Sequence, residues 1–219
     1  ATDMSGKLIQ EKNIYLNSPD IIYDVASGEF IMSAFYSYKS SNGNQGITSL
    51  RFTPFSLPIS IAGNRPFSRD LVKQVLGAKL EADGKEINNY FIRRLIPKSN
   101  GGYLIVAENF HKSSKFETIF VNGTAPQVTQ SDIYNFDDVL LFNFDSTGEM
   151  VWYKQIHKKQ SSVANISYYH SIGIFITDNK INIIYNDDNQ NDNRIMYVSI
   201  DGKGNETLKM LLRSNSAFT

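Results

Sequence analysis

Apolar and polar residues form their clearest pattern in one stretch of the chain, where two runs of β-forming residues flank a short polar turn. The first run covers residues 139–144, the turn is Asp145-Ser146-Thr147-Gly148, and the second run covers residues 150–156. Branched and aromatic residues favour strands, whereas Asp and Gly favour tight turns. The stretch therefore predicts an antiparallel β-hairpin.

Similar hairpins recur along the chain in two alternating types. The first type covers residues 21–35, 93–108 and 171–186, and the second covers residues 47–61, 139–156 and 195–211. The turn glycines Gly6, Gly148 and Gly202 fall at corresponding places of the second type. The sequence therefore predicts a half unit at the start of the chain, followed by three whole units of four strands each.

Repeated four-stranded antiparallel units are typical of β-propeller blades, because one such sheet cannot bury its faces without a neighbour. The sequence predicts one all-β, propeller-like domain over residues 1–219 with about three and a half blades. The half blade is expected at 1–16 and the whole blades at about 17–67, 85–157 and 163–212. A closed propeller has more blades, so we expect the chain to be a fragment of a longer one. The alternative is a β-sandwich, whose strands recur at similar spacing.

One short inserted helix interrupts the predicted strands. Ser68 is a suitable N-cap, and Asp70 lies in the expected first turn. Apolar residues fall on one face of this helix before Gly77. The pattern favours a structural role, with that face packed on the sheets.

Composition and motifs exclude several classes of partner and chemistry. The 22 basic and 22 acidic residues give no net charge, so we expect no nucleic-acid partner. The chain has no cysteine, which excludes disulfides and thiolate chemistry. No apolar run reaches the length that a transmembrane helix needs. No dinucleotide or Walker fingerprint is present, so no cofactor is predicted.

Three stretches resemble a family of uncharacterised, exported, β-propeller-like proteins of Bacteroides-type bacteria. They are GGYLIVAENFH at 101–111, DDVLLFNFDSTGEMVWYKQIHKKQ at 137–160 and INIIYNDDNQN at 181–191. The chain departs from the family pattern at Thr147, where an Asp is usual, and at His157, where a Pro is common. The resemblance implies a propeller-like fold and an exported location, either periplasmic, cell-surface or secreted. It implies no activity.

The predicted topology places the long connections on one face of the blades, and binding residues concentrate on such loops. These connections include residues 109–137, 157–169 and 187–194. The predicted ligand-binding residues at strand ends facing these loops are Glu108, Lys158, Gln160, Tyr168 and His170. Charged, amide and aromatic side chains together suit a glycan or peptide ligand. The structural alternative is that Glu108 and Gln160 join blades through buried hydrogen bonds while Lys158 is solvated.

Catalytic and metal signals are weak. The histidines His111, His157 and His170 lack the spacing of a zinc motif, so no metal site is predicted. The polar loop at 186–193 offers oxygen ligands but lacks the Gly and Glu of an EF-hand loop. The sequence favours a non-catalytic binding or scaffold module, with other blades or another protein covering its open sheet edges. The alternative is a glycosidase-like enzyme that uses a carboxylate pair on the loop face.

Overall fold

The structure, a computed structural model, describes residues 14–38, 43–53, 60–120, 126–163, 172–177, 180–188 and 193–214. The described chain consists mainly of antiparallel β-sheets, which confirms the predicted all-β class. The half blade predicted at 1–16 lies almost entirely outside the described residues. The number of blades and their propeller arrangement stay predictions. Within the described residues, no helix combines the length and apolar character of a bilayer span.

The first four-stranded sheet has the order β1-β2-β4-β5. Its strands are β1 (Tyr15–Asp24), β2 (Glu29–Ser37), β4 (Gly46–Phe52) and β5 (Ser60–Pro66). A turn that ends at Gly28, with φ of +71°, joins β1 to β2. Glycine adopts positive φ without the steric cost that a side chain imposes.

The second sheet has the order β10-β9-β8-β7, and β11 pairs with β9 beyond this path. Its strands are β7 (Tyr90–Pro97), β8 (Tyr103–Ile119), β9 (Gln127–Phe144), β10 (Met150–Ile156) and β11 (Gln160–Val163). The expectation of a long loop at 109–137 was wrong, because most of that segment extends β8 and β9. Within this segment, the alternation of aromatic and polar residues in Tyr134-Asn135-Phe136-Asp137 favours a strand over a loop.

The third sheet has the order β12-β13-β14-β15. Its strands are β12 (Ile172–Thr177), β13 (Lys180–Asp188), β14 (Asn193–Ile200) and β15 (Glu206–Ser214). All neighbouring strands in this sheet pair antiparallel.

The insertion after β5 contains two short helices rather than the single helix expected. Helix α1 (Arg69–Leu76) begins at the predicted cap, where Ser68 Oγ accepts a hydrogen bond from the Leu71 amide. Gly77, with φ of +87°, ends α1, and the strong helix formers that follow it make α2 (Ala78–Ala82). Strands β3 (Gly43–Asn44) and β6 (Ile87–Asn88) form a two-stranded antiparallel sheet in which Gly43 pairs with Asn88.

The chain divides into two compact units, Ala1–Val106 with Phe142–Val151, and Ala107–Leu141 with Trp152–Thr219. In the first unit, Phe142 stacks on Phe67 with ring centroids 5.8 Å apart, and Tyr103 stacks on Phe144 at 4.8 Å. In the second unit, the fully buried apolar residues include Val139, Leu140, Leu141, Ile183 and Val198. The candidate site described below belongs to the second unit alone.

Two turns of the second hairpin type have the same geometry, but their glycines differ from the expected pair. Asp145 Oδ1 accepts hydrogen bonds from the Thr147 and Glu149 amides, and Asp201 Oδ1 accepts them from Lys203 and Asn205. The residue at positive φ is Gly148 in one turn and Gly204 in the other. The structural counterpart of Gly148 is therefore Gly204 and not Gly202. In both turns the glycine with positive φ is the third residue after the Asp that accepts the two hydrogen bonds, so the Asp residues align the turns correctly.

Candidate functional site

One lysine ammonium is buried among three polar acceptors. Lys158 Nζ lies 2.8 Å from Glu108 Oε1 and donates to the Phe136 carbonyl oxygen at 2.8 Å and to Gln160 Oε1 at 2.7 Å. Neither the Lys158 nor the Glu108 side chain has exposed surface. The carbonyl and amide oxygens accept hydrogen bonds from the ammonium, and the Glu108 carboxylate supplies the opposite charge. We call these four residues the Lys158 cluster.

The acceptors of the Lys158 cluster come from three strands. Glu108 belongs to β8, Phe136 to β9 and Gln160 to β11, and the β9–β11 register places Gln160 opposite Phe136. Lys158 lies in the short connection between β10 and β11. Burial of an ion pair is costly unless hydrogen bonds compensate for the lost water. The hydrogen bonds of the Lys158 cluster compensate for the lost water only when β8, β9 and β11 keep their present positions.

Side chains at alternate positions of the same strands form a polar surface. We call it the polar face and define it by Asn109, His111, Asn135, Asp137 and Ser161. Successive strand side chains point to opposite sides, so these residues lie across the strands from Glu108, Phe136 and Gln160. The β9–β11 register pairs Asn135 with Ser161.

The polar face is held by its own contacts and remains open to solvent. His111 Nδ1 lies 3.7 Å from Asp137 Oδ2 and 3.4 Å from Asn109 Oδ1. Asn135 Nδ2 donates to the His111 carbonyl oxygen at 3.4 Å and to Ser113 Oγ at 3.1 Å. The side chains of His111 and Asp137 are 40% and 30% exposed, so a ligand can reach both.

Asp137 has the most unusual environment on this face. Burial raises the pKa of its carboxyl above the ordinary value of 3.8, and the nearby His111 opposes that increase. Within the described part of the chain, the buried Asp137 Oδ1 has no hydrogen-bond partner. An acceptor that is removed from water and unused by the protein costs free energy. The exposed part of this side chain lies at Oδ2, so a ligand hydroxyl would donate to Oδ2, beside His111.

The next carboxylate, Asp138, is engaged by its own chain. Asp138 Oδ2 accepts a 2.7 Å hydrogen bond from Gln155 Nε2 and lies 3.3 Å from His157 Nδ1. Asp138 Oδ1 accepts from the Lys158 amide at 3.2 Å. Asp138 thus fixes the connection that carries Lys158.

Strand β13 supports the same connection from the third sheet. Asp187 Oδ1 accepts from the Lys159 amide at 3.0 Å, and the Asp188 amide donates to the Lys159 carbonyl oxygen at 2.7 Å. Tyr185 Oη donates to the His157 carbonyl oxygen at 3.3 Å. Burial, with a further contribution from Asp187, raises the pKa of Tyr185 to about 12.

The structure brings together three of the five predicted ligand-binding residues. Glu108, Lys158 and Gln160 converge in the Lys158 cluster, where they join strands. They are buried, so a direct contact with ligand stays a prediction. Tyr168 and His170 lie outside the described residues. The idea that Lys158 is solvated was wrong, because three acceptors replace water around its ammonium.

The sequence interpretation did not include Asp137 or Asn135 among the site residues. Their signal was present as alternation of polar and aromatic residues in Tyr134-Asn135-Phe136-Asp137. That period of two identifies one face of a strand, but only if the segment is taken as a strand. Treating residues 109–137 as a loop concealed it.

Among the described residues, no group of three or more His, Asp or Glu side chains is arranged to hold a metal ion. Residues 189–192, the centre of the polar loop at 186–193 for which oxygen ligands were noted, lie outside the described residues.

No family model matches the chain, and no curated protein matches it. Two solved structures are similar at 11% sequence identity. One is 1,3Gal43A, an exo-β-1,3-galactanase from Clostridium thermocellum, with a TM-score of 0.40 over 90% of this chain and 36% of that chain. The other is a GH43 β-1,3-galactosidase with galactodeoxynojirimycin, with a TM-score of 0.34 over 96% of this chain and 61% of that chain. The chain spans about a third of the first and three-fifths of the second. Scores this low leave the function of this chain to be argued from its own residues.

Proposed function

We propose that the polar face binds a hydroxyl-rich ligand of the glycan class and that the chain does not convert this ligand. The observation that carries the proposal is the pair His111–Asp137, which is partly exposed and lies across β8 and β9 from the buried Lys158 cluster. A rigid support beneath exposed polar groups lowers the entropy lost on binding.

The chemistry of the polar face suits hydroxyl groups. Asp137 offers acceptor oxygens, Asn109 offers an amide, and His111 offers a ring nitrogen that donates or accepts according to its tautomer. A hydroxyl both donates and accepts, so it can pair with either kind of group. Neighbouring strands are about 4.8 Å apart, so a ligand the size of one sugar ring spans β8 and β9.

The neighbouring carboxylates argue against turnover. A glycosidase needs two carboxyl groups about 5 to 10 Å apart that both reach the substrate. Glu108 is fully buried against Lys158, and Asp138 accepts hydrogen bonds from Gln155 and the Lys158 amide. Asp138 is 25% exposed, but it lies on the side of β9 opposite Asp137, so the polar face offers only Asp137 of these three carboxylates.

A glycosidase-like enzyme is the second candidate, and one observation favours it. The raised pKa of Asp137 is the property expected of a general acid, and its side chain is partly exposed. Incubation of the wild type with aryl glycosides separates the candidates. Hydrolysis that Asp137→Asn abolishes supports the enzyme, whereas binding without hydrolysis supports the first proposal.

We also propose that the three sheets are blades of a longer, exported, propeller-like protein. Export rests on the family resemblance alone. Strand β15 exposes more than half of Leu208, Met210, Leu211 and Leu212, which is unusual for an outer strand of a soluble protein. Further blades or another protein would cover this surface. A recombinant chain extended to the full gene product should protect the β15 amides from hydrogen exchange.

Glycan and peptide arrays probed with the wild-type chain test the binding proposal. We expect glycan binders, and we expect His111→Ala and Asp137→Ala to weaken them by about tenfold or more, since each removes a hydrogen bond involving a polar or charged group. Asp83→Asn, at an exposed site beyond α2, is the charge-matched control and should bind normally. A wild type without glycan binders, or variants that bind as well as it does, would refute the proposal.

A further inference from the structure

Strands β8 and β9 continue as a two-stranded arm beyond the strands that flank them. The Lys98 amide donates to the Gly102 carbonyl oxygen across the β7–β8 turn, so β7 aligns with the start of β8. β7 has 8 residues and β8 has 17, so β7 leaves the distal part of β8 uncovered. We call residues 112–119 of β8 and 127–132 of β9 the arm.

The arm is ordered by contacts between its two strands. Lys112 Nζ lies 2.8 Å from Asp132 Oδ2, Gln130 Nε2 donates to Ser114 Oγ at 3.1 Å, and Thr129 Oγ1 donates to the Glu117 carbonyl oxygen at 3.2 Å. The first two contacts place even-numbered side chains of both strands on one side of the arm. Phe116 and Val128 belong to that side because strand side chains alternate.

The arm and its tip expose large apolar side chains. Phe116 and Val128 are each 66% exposed, Ile119 is 46% exposed and Phe120 is 78% exposed. All residues of β8 from Lys112 to Ile119 are exposed. Within the described part of the chain, no strand pairs with the outer edge of this segment. An open strand edge with apolar side chains is a template for pairing with another strand.

We propose that the arm pairs with the arm of a second copy of this chain, β8 against β8 and antiparallel, about a two-fold axis beside Phe116. Such an interface is isologous, so each copy offers the same edge. Phe116 then lies directly opposite Phe116 of the second copy, where cross-strand aromatic pairs are favourable.

Charge favours the axis at Phe116 over the axes at its two neighbours. Directly opposed residues of antiparallel strands have their side chains on the same side of the sheet. A two-fold axis normal to the sheet keeps each side chain on its own side, so a residue can oppose only residues an even number of positions away. The axis must therefore pass beside one residue, which opposes the same residue of the second copy. An axis at Lys115 opposes two lysines, and an axis at Glu117 opposes two glutamates. The axis at Phe116 places Lys115 opposite Glu117 twice. The existing contact between Lys115 Nζ and Glu117 Oε1 at 2.6 Å shows that both groups already lie on one side of the strand.

Sedimentation equilibrium of the purified chain tests the proposal through charge reversal. We expect a wild-type dimer, and we expect Glu117→Lys and Lys115→Glu each to weaken it by about tenfold or more, because each creates two like-charge pairs. An equimolar mixture of these two variants should dimerise again, since the mixed pair has opposite charges at both positions. The double variant K115E/E117K should dimerise as the wild type does.

Two controls complete the test. Circular dichroism should be unchanged in the single variants, because the altered residues are exposed. Lys209→Glu, on β15, reverses a charge outside the arm and should leave the dimer intact. A wild type that stays monomeric at its highest soluble concentration would overturn the proposal. Dimers that survive both single reversals would place the interface elsewhere and overturn it too.

Discussion

Lys158 Nζ lies 2.8 Å from Glu108 Oε1, and neither side chain has exposed surface. This pair joins the β10–β11 connection to β8. Removing one member leaves a charge buried without its counterion, which costs about 3 to 5 kcal/mol. We predict that Lys158→Met lowers the free energy of unfolding by that amount, measured by urea denaturation.

Two further variants show whether the loss of stability comes from the buried charge or from the removal of a lysine as such. Lys159→Met changes an exposed neighbour and should cost less than about 0.5 kcal/mol. The double variant E108M/K158M should recover much of the stability lost in Lys158→Met, because apolar residues can replace a buried ion pair. A loss below about 1 kcal/mol in Lys158→Met would contradict the importance given to the cluster.

Asp137 predicts a dependence of stability on pH. Because burial raises its pKa above 3.8, the folded state binds more protons than the unfolded state between 3.8 and the raised value. Stability should therefore fall as pH rises through that window. In Asp137→Asn this contribution is absent, so its stability relative to the wild type should increase from pH 4 upward. Urea midpoints over a pH series measure the difference, and parallel curves would contradict it.

Tyr185 predicts a second dependence at alkaline pH. Its pKa of about 12 lies above the ordinary value of 10, so the unfolded chain loses this proton first. Stability contributed by Tyr185 is present below pH 10 and is lost as pH rises from about 10 to about 12. Thermal denaturation should show a smaller alkaline loss in Tyr185→Phe than in the wild type. Tyr23→Phe changes an exposed site, so its loss of stability at alkaline pH should equal that of the wild type.

The β14–β15 turn offers a matched pair of glycines. A Cβ at Gly204 would lie 3.3 Å from the Trp152 ring, and Gly204 has φ of +83°, whereas a Cβ at Gly202 meets nothing within 4 Å. We predict that Gly204→Ala costs about 1 to 2 kcal/mol and Gly202→Ala less than about 0.5 kcal/mol. Equal melting temperatures for the two variants would contradict this difference.

The strand pattern of the sequence predicted the antiparallel sheets well, because alternation and turn chemistry are local signals. Residues 139–144 and 150–156 fall within β9 and β10, and the turn between them has its expected glycine at positive φ. The family resemblance contributed an exported location, which no structural feature tests.

The long extensions of β8 and β9 were missed for a physical reason. Exposed two-stranded segments contain many polar residues, and polarity alone is also typical of loops. Burial of Lys158 was missed too, because a lysine is solvated in most contexts and the compensating acceptors lie 22 and 50 residues away in the chain. Only the pairing of β9 with β11 brings Gln160 beside Phe136 and completes the cluster.

Mapping a bound glycan by amide chemical shifts tests the central claim most directly. The wild-type chain, titrated with a glycan identified on the array, should show its largest shifts at Asn109, His111, Asn135, Asp137 and Ser161. Asp137→Ala should reduce these shifts without changing the spectrum of β14. Shifts concentrated on β14 and β15, or a titration that perturbs no residue of the polar face, would contradict the account.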